Sequence, residues 1–306
     1  MSENHTSTQD RHLPSVSIVV PVFNGLPLLD VQIERLTSQT YAGPLEIVLS
    51  DNGSTDGVNE HVRRRWSASP VPVRVIDSSA TRGTGAARNA GVEAATGDII
   101  AFTDQDDAAR PDWIDELVAA FRDSDADVVS GTVTVDRINS PEVAGWRPMP
   151  GADDGWRVEG YFDTAIGTSL AVTRKAHQAI GGFDVDYLGG GEDNDYVWRL
   201  QHAGFQLVHT PEAIVDYRLR DTYKGLWKQM VAYGRADVRN HVKHKPLGFR
   251  GYNFPLMFPY IVVSLSLRNP LLPQRITKLS RGRWVYCVAY EYGKIRGSIE
   301  NRVWCI

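Results

Sequence analysis

The sequence predicts an α/β fold in which helices cover both faces of a Rossmann-like, mostly parallel sheet, followed by a helical C-terminal extension. Two observations support this prediction. Short β-branched runs alternate with segments of helical apolar spacing, and polar, glycine-bearing turns follow several of the runs. This alternation is typical of right-handed β-α-β crossovers, and sheets built from them bind ligands at the carboxyl ends of their strands.

The elements follow one another in a regular order. Apolar runs predict strands at 16–20, 45–49, 71–76, 98–102, 127–136 and 166–172. Helical spacing predicts helices at 28–40, 58–66, 85–95, 111–122 and 195–203, with further helices from residue 222. We therefore expect a flexible N-terminus (1–13), one domain in two halves (14–110 and 111–221) and a helical extension (222–306).

Composition excludes several classes of protein. With 306 residues, 42% of them hydrophobic and 23% charged, the chain can bury a sizeable core, so neither disorder nor a collagen-like structure fits. The N-terminus lacks the apolar segment of a signal peptide, only Cys287 and Cys305 are present, and the apolar run 254–267 is too short to span a membrane. These features predict a cytoplasmic location and no transmembrane anchor.

Charge is distributed unevenly. Residues 217–306 hold 17 Lys and Arg against 4 Asp and Glu, whereas residues 1–216 hold 16 against 33. A basic, aromatic-rich tail on an acidic body suggests an anionic partner, such as phospholipid or a phosphate-bearing acceptor. Nucleic acid is not expected, because the chain has a pI of 6.1 and no zinc-finger or RNA-binding signature.

An acidic cluster follows the strand at 98–102. Asp104, Asp106 and Asp107, with Gln105 between them, repel one another unless cations or hydrogen-bond donors lie close by. Aspartates two apart at a strand end can hold Mg²⁺ or Mn²⁺, which takes its other ligands from substrate phosphates. The alternative is an Asp-rich cap for the helix that begins near Pro111.

Two further turns have features of a nucleotide site. Asp51 ends the second strand in a glycine-bearing turn (DNGSTDG), at the height expected for base or ribose recognition. Arg82 and Arg88 flank the glycines that precede a helix, where phosphates are favoured. Taken alone, the first of these segments favours a turn and helix cap, and the second is a poor match to the dinucleotide-binding fingerprint.

A glycine run precedes the acids of 192–195 (EDND). A carboxylate here, partly removed from water, would have the basicity to accept a proton from a sugar hydroxyl. The alternative is that Asp193 caps the following helix and Asp195 complements its dipole.

Six segments, taken in order, resemble the nucleotide-diphospho-sugar transferases of glycosyltransferase family 2: 18–24 (IVVPVFN), 51–56 (DNGSTD), 85–91 (GAARNAG), 104–107 (DQDD), 181–184 (GGFD) and 191–200 (GEDNDYVWRL). The resemblance spans about residues 14–240. Each segment alone is common, but the order and spacing together are specific. The resemblance implies a GT-A-type fold, an inverting glycosyl transfer and Mg²⁺ or Mn²⁺ as cofactor, so 14–110 would be the nucleotide-sugar-binding half and 111–221 the acceptor-binding, catalytic half.

The resemblance also implies a role for individual residues. Asp193 would be the general base, with Glu192 orienting the acceptor or serving as the base instead. The nucleotide sugar would contact the residues at the strand ends and the helix that follows the third strand, namely Pro21, Phe23, Asn24, Asp51, Arg82, Arg88 and Asp104. The metal would be held by Asp104 and Asp106, with Asp107 close behind. Many relatives carry His where this sequence has Asp216, and we hypothesise that Asp216 takes that place beside the metal.

Three interpretations remain open at this stage. The expected activity is transfer of a sugar from a nucleotide-diphosphate sugar to a hydroxyl of a carbohydrate or lipid-linked acceptor, as in synthesis of cell-envelope polysaccharides. The alternatives are a non-catalytic module that binds sugar nucleotides or glycans, and a nucleotidyltransferase, although the glycine-rich loop of the latter is missing after the first strand. The tail, with Trp227, Phe254, Phe258, Trp284 and Trp304, either attaches to the inner face of the plasma membrane or packs on the acidic body.

Overall fold

A computed structural model describes residues 13–250 and 257–305. These residues form one eight-stranded mixed sheet in the order β3-β2-β1-β4-β7-β6-β8-β5, with helices on both faces. The strands are β1 (Val16–Val22), β2 (Leu45–Asp51), β3 (Val73–Asp77), β4 (Ile99–Phe102), β5 (Ala108–Ala109), β6 (Val128–Thr134), β7 (Leu170–Thr173) and β8 (Leu207–Asp216). Strands β1 to β4 are parallel, and β7 joins β4 and β6 in antiparallel pairing. The predicted fold class is confirmed.

Helices on both faces surround this sheet. Those of the α/β body are α1 (Leu28–Thr37), α2 (Val58–Arg65), α3 (Thr84–Ala94), α4 (Trp113–Asp123), α5 (Pro141–Ala144), α6 (Arg174–Ala179) and α7 (Glu192–His202). The C-terminal extension contains α8 (Tyr223–His244), α9 (Met257–Leu267), α10 (Gln274–Thr277) and α11 (Arg281–Glu300). The segment expected to be a flexible N-terminus lies, except for Leu13, outside the described residues.

Side-chain alternation along β1 explains the two-faced sheet. Ile18 and Val20 enter one apolar core, whereas Val19 between them enters another. The first core includes residues of α1, α2 and α4, and the second includes residues of α3 and α7. A strand buried on both faces has few polar side chains, which is why the run IVV is recognisable in the sequence.

Helices α7 and α8 are tied together by one buried carboxylate. Asp195 accepts hydrogen bonds from Nε2 of His244 at 2.8 Å and from Nε of Arg199 at 2.8 Å, and Nζ of Lys243 lies 2.7 Å away. Burial alone would raise the pKa of Asp195, but the hydrogen bonds and the Arg199 charge outweigh it and hold the pKa well below the ordinary 3.8. The ionised form therefore stabilises the folded state.

We expect Asp195→Asn to lower the free energy of unfolding at pH 7 by about 3–5 kcal/mol, because it leaves three cationic or donor groups without their carboxylate. Since the folded-state pKa is lowered, the contribution is complete above about pH 5 and is lost progressively as the pH falls through the unfolded-state and then the folded-state pKa. Urea unfolding of wild type and variant at pH 7 and near pH 3 measures both effects. Asp186→Asn is the control, because its ion pair with Arg239 is exposed. Equal losses in the two variants would contradict the prediction.

Candidate active site

The carboxyl ends of β1, β2 and β4 open onto a cavity of about 810 Å³. Val22 at the end of β1 pairs with Asp51 on β2, and Val19 pairs with Phe102, the last residue of β4. This register brings the turns that follow the three strands to one edge of the sheet. Several predicted site residues line the cavity: Pro21, Phe23, Arg82, Arg88, Asp104, Asp106, Glu192 and Asp193.

Phe23 is a surface residue of this cavity and does not belong to the core. Its side chain is 58% exposed. Its backbone N–H donates to Oε1 of Gln105 at 2.8 Å, and Nε2 of Gln105 donates back to the Phe23 carbonyl at 3.1 Å. The turn after β1 is thereby fixed to the turn after β4, and an aromatic ring is presented at the cavity wall.

Cations of the protein itself neutralise the acidic cluster. Nη2 of Arg88 donates to Asp104 at 2.9 Å, and Nη1 of Arg220 donates to Asp106 at 2.8 Å. Charge repulsion in this cluster is therefore not by itself evidence for a metal. The expectation that the cluster caps a helix is wrong, since β5 follows it and α4 begins only at Trp113, with Asp112 as N-cap.

The two cavity-lining carboxylates, Asp104 and Asp106, suit a hard divalent cation. Mg²⁺ is commonly held by one or two carboxylates, with waters and substrate phosphates completing its coordination. Within residues 13–250 and 257–305, no group of three or more His, Cys, Asp or Glu side chains is arranged to hold a metal ion. Asp104 and Asp106 thus fit a metal shared with a substrate, rather than one enclosed by protein ligands.

Neither Asp107 nor Asp216 lines the cavity, and Asp107 lies behind Asp106 as expected from the sequence. Asp107 is buried and accepts from the backbone N–H of Arg218 at 2.8 Å, and burial raises the pKa of its carboxyl well above the ordinary range. Asp216 ends β8, where it accepts from Arg110 at 3.2 Å and from Thr134 at 2.7 Å. Both carboxylates hold neighbouring segments in place.

Asn24 and Asp51 connect the turns after β1 and β2. Oδ1 of Asn24 accepts from the backbone N–H of Thr55 at 2.8 Å, and Oδ1 of Asp51 accepts from that of Ser54 at 2.9 Å. Asp51 is 5% exposed and does not line the cavity, whereas the next residue, Asn52, does. Their contacts in the structure therefore position the turns.

Arg88 connects the acidic cluster to α7. It is 2% exposed, and its Nη1 lies 3.3 Å from Oε1 of Glu192. Burial and the neighbouring Asp193 raise the pKa of Glu192 to about 7, while Arg88 opposes the shift. Because the Arg88 guanidinium contacts two carboxylates, Arg82 is the more accessible of the two arginines that flank the glycines.

Asp193 does not cap α7, because Gly191 occupies the N-cap position. Its Oδ1 accepts from the backbone N–H of Asn194 at 2.9 Å and its Oδ2 from that of Gly167 at 3.2 Å. The preceding glycines pack against α8: a Cβ on Gly190 would lie 2.6 Å from the Tyr233 ring, and its φ is +131°. The glycine run therefore permits close packing of α8 behind Asp193.

A second cavity of about 440 Å³ lies on the other side of Asp193. It shares Ile166, Asp193 and Tyr233 with the first cavity. Sequence reasoning missed Arg147, which lines it, as well as Thr168 and Arg220, which contact the acidic cluster. A signal for Arg220 was present in the basic segment RLR after Tyr217, and Arg147 lies in the segment 137–160, whose two tryptophans indicate a role in acceptor binding.

Comparison with known proteins gives consistent matches. The model of glycosyl transferase family 2 matches residues 17–179, and that of the N-terminal domain of galactosyltransferase matches 150–222. Glycosyltransferase AglE of Haloferax volcanii is 34% identical over 228 residues, 74% of each chain. A pre-mycofactocin glycosyltransferase of Mycobacterium tuberculosis is 26% identical over 75% of this chain and 48% of its own length.

Solved structures share the fold at low sequence identity. The mannosyltransferase of Pyrobaculum calidifontis, in complex with GDP-Man and Mn²⁺, superposes with a TM-score of 0.66 at 20% identity, covering 93% of this chain and 88% of its own. Staphylococcus aureus TarS 1–349 with UDP-GlcNAc gives 0.53 at 14% identity, covering 95% and 93%. These likenesses concern the fold alone.

Proposed function

We propose a specific reaction for this chain, which belongs to glycosyl transferase family 2 and is a glycosyltransferase. It transfers a sugar from a nucleotide-diphosphate sugar to an acceptor hydroxyl, with inversion at the anomeric carbon and with the help of Mg²⁺ or Mn²⁺. The acceptor is a carbohydrate or a lipid-linked sugar. One observation carries the proposal: Asp104, Asp106 and Asp193 face a single cavity at the carboxyl edge of the sheet.

Donor binding is assigned to the half of the cavity formed by the turns after β1 and β2. Phe23 stacks on the base, Pro21 and Asn52 complete the wall, and Arg82 contacts the nucleotide or its phosphates. Asn24 and Asp51 hold these turns in position. Asp104 and Asp106 hold the metal, which when bound offsets the negative charge that the diphosphate gains as it leaves. Neighbours of the same fold have been solved with GDP-Man and Mn²⁺, or with UDP-GlcNAc, which supports a nucleotide-sugar donor for this chain.

Transfer proceeds as a single displacement. The acceptor oxygen attacks the anomeric carbon on the face opposite the diphosphate, the carbon–oxygen bond to the diphosphate breaks, and Asp193 takes the proton of the acceptor hydroxyl. Glu192 lies next to Asp193 and is held by Arg88, so it orients the acceptor. Its pKa of about 7 makes it the alternative base.

Titration of the purified chain with UDP, GDP, TDP and CDP, each with and without Mn²⁺, tests the proposal by calorimetry. We expect one nucleoside diphosphate to bind, and to bind much more tightly with the metal. Failure of all four to bind with Mn²⁺ would contradict the proposed donor class.

We further propose that the C-terminal extension attaches the enzyme to an anionic membrane surface. None of the described helices is long and apolar enough to cross a membrane. Residues 262–276 nevertheless expose large apolar side chains, those of Val262, Val263, Leu267, Leu271, Leu272 and Ile276, of which Leu271 is 91% exposed. Arg268, Arg275 and Lys278 lie in or beside the same segment. Apolar and basic side chains together favour the interface of anionic lipids.

The individual aromatic residues of the tail support attachment unequally. Trp227 and Trp304 are exposed, whereas Trp284 is half-buried and donates to the Leu265 carbonyl at 2.9 Å. Phe254 and the side chain of Phe258 lie outside the described residues. Helices α8 and α11 pack against each other and α8 against α7, so part of the extension belongs to the body.

Replacing Leu267 and Leu271 together by serine is expected to reduce binding to phosphatidylserine-containing vesicles about tenfold or more, because two exposed leucines lose their apolar contact with lipid. Co-sedimentation with vesicles containing phosphatidylserine, and with pure phosphatidylcholine, measures this. Val31→Ser on α1 is the control. Wild-type protein that shows no preference for the anionic vesicles would refute the attachment.

A further inference from the structure

The second cavity meets the first at the proposed base. It lies between α7, α8 and α11, and Asp193 forms part of the wall of both cavities. A hydroxyl in the second cavity can therefore reach the carboxylate that also faces the donor side. A base that must take a proton from the acceptor while the donor is bound requires such a two-sided position.

Arg147 brings a positive charge to this cavity without a matching carboxylate. Within the described chain, its guanidinium contacts the Tyr217 hydroxyl at 3.4 Å and lies over the rings of Tyr217 and Tyr233, at 5.6 and 5.3 Å from their centres. The tyrosines are neutral, so they hold the guanidinium in place without neutralising it. An arginine in a cavity retains its charge and offers a planar fork of N–H donors suited to a carboxylate or phosphate.

Other polar groups of the cavity also bear on whether it binds an anion. Arg157 adds positive charge to the lining, whereas Lys294, which also lines the cavity, lies 3.4 Å from the carboxylate of Glu291. Nδ1 of His241 is buried and has no hydrogen-bond partner among the described residues. On the acidic side, Asp237 accepts from the Tyr290 hydroxyl, and Asp193 accepts from the two backbone N–H groups described above. Within the described residues, neither Arg147 nor Arg157 forms an ion pair, so the positive charge of these two arginines favours an anion.

The remaining wall suits a sugar ring. Trp156 lines the cavity and is half-buried, so it offers an aromatic face of the kind that packs against the C–H face of a sugar. Trp198 and Phe249 also line the cavity, but they are buried and pack against each other. A sugar alone would not require Arg147, since its hydroxyls can be satisfied by neutral groups. The combination of an aromatic face with an unneutralised arginine indicates a sugar that bears an acid.

We propose that the second cavity binds the acceptor, and that Arg147 binds an acid group, a phosphate or a carboxylate, on that acceptor. This rests on the proposed function, because it takes Asp193 as the base that joins the two cavities. It adds the chemical class of the acceptor and a residue that selects it.

Binding of small probes tests the proposal without requiring the natural acceptor. Methyl β-glucuronide carries a carboxylate, glucose 1-phosphate carries a phosphate, and methyl β-glucoside is the neutral comparison. We expect wild-type protein to bind at least one acid probe about tenfold or more tightly than the neutral one, and Arg147→Gln to abolish this preference. Arg63→Gln removes an exposed arginine from α2 and is expected to change nothing. The two acid probes distinguish a phosphate-bearing from a carboxylate-bearing acceptor.

Absence of any preference in wild type, or its survival in Arg147→Gln, would overturn the proposal. Should Arg147→Gln fail to melt cooperatively, Arg147→Lys decides, because lysine keeps the charge but loses the planar fork. A several-fold loss of affinity for the acid probe then supports the proposal, and an unchanged affinity overturns it. Titration of the same samples with nucleoside diphosphates and Mn²⁺ tests the proposed donor site separately from the proposed acceptor site. If the acid probe binds in a manner that depends on Arg147 but no nucleotide binds, the proposed function is wrong and the anion site remains.

Discussion

Asp193→Asn is expected to lower the rate of sugar transfer about 10²–10⁴-fold, because an amide cannot accept the proton of the acceptor hydroxyl. Asparagine has nearly the same shape and can still accept from the backbone N–H of Asn194 or Gly167. Affinity for the nucleoside diphosphate is therefore expected to stay within about twofold of wild type. Transfer assays at saturating donor, combined with nucleotide titration, measure the two quantities separately.

Glu192→Gln is the matched control for this prediction. The two residues are adjacent in α7 and both line the donor cavity, so each substitution replaces a carboxyl group by an amide at nearly the same place. If Glu192 only orients the acceptor, its substitution lowers the rate less than that of Asp193. If Glu192→Gln lowers the rate of sugar transfer more than Asp193→Asn does, the general base is Glu192.

Asp106→Ala is expected to weaken metal-dependent binding of the nucleoside diphosphate about 10²-fold or more. A ligand to a divalent ion contributes several kcal/mol, and Asp104 alone remains on the cavity wall to hold the metal. The substitution also removes the ion-pair partner of Arg220, because Arg220 contacts Asp106 at 2.8 Å. Calorimetric titration with and without Mn²⁺ measures the effect.

Two comparisons make the Asp106 result interpretable. Asp123→Ala removes an exposed carboxylate at the end of α4 and controls for the change in net charge. The affinity for the nucleoside diphosphate without Mn²⁺ measures the effect of Arg220 after it loses Asp106, because an unpaired arginine attracts phosphate more strongly. Unchanged metal dependence in Asp106→Ala would show that Asp106 is not a ligand.

Sequence reasoning was most successful where one strand or helix carries its own signal. The first four strands are short and rich in β-branched residues, β1, β2 and β4 are largely buried, and the predicted bounds agree with the structure to within about two residues. β8 was not predicted, because Pro211 interrupts a run that is only partly apolar. The strand predicted at 166–172 is β7 from Leu170 only, since Ile166 and Gly167 line the cavity instead.

The candidate site could be predicted as a set of residues but not as a set of contacts. The turns after β1, β2 and β4 were recognisable because parallel strands end at one edge. The partners of the acids were not, since Arg88 and Glu192 are separated by 104 positions and Asp106 and Arg220 by 114. Such pairs depend on tertiary packing. For example, a Cβ on Gly167 would lie 2.5 Å from the Arg88 guanidinium, and nothing local in the sequence indicates this approach.

Release of the nucleoside diphosphate from its sugar tests the central claim most directly. Purified protein is incubated with UDP-, GDP-, TDP- and CDP-sugars without an acceptor, with and without Mn²⁺, and the free nucleoside diphosphate is measured. We expect slow release from one nucleotide class, dependent on the metal and lost in Asp106→Ala. Release that is independent of the metal, or no release from any donor that binds, would contradict metal-assisted transfer at this site.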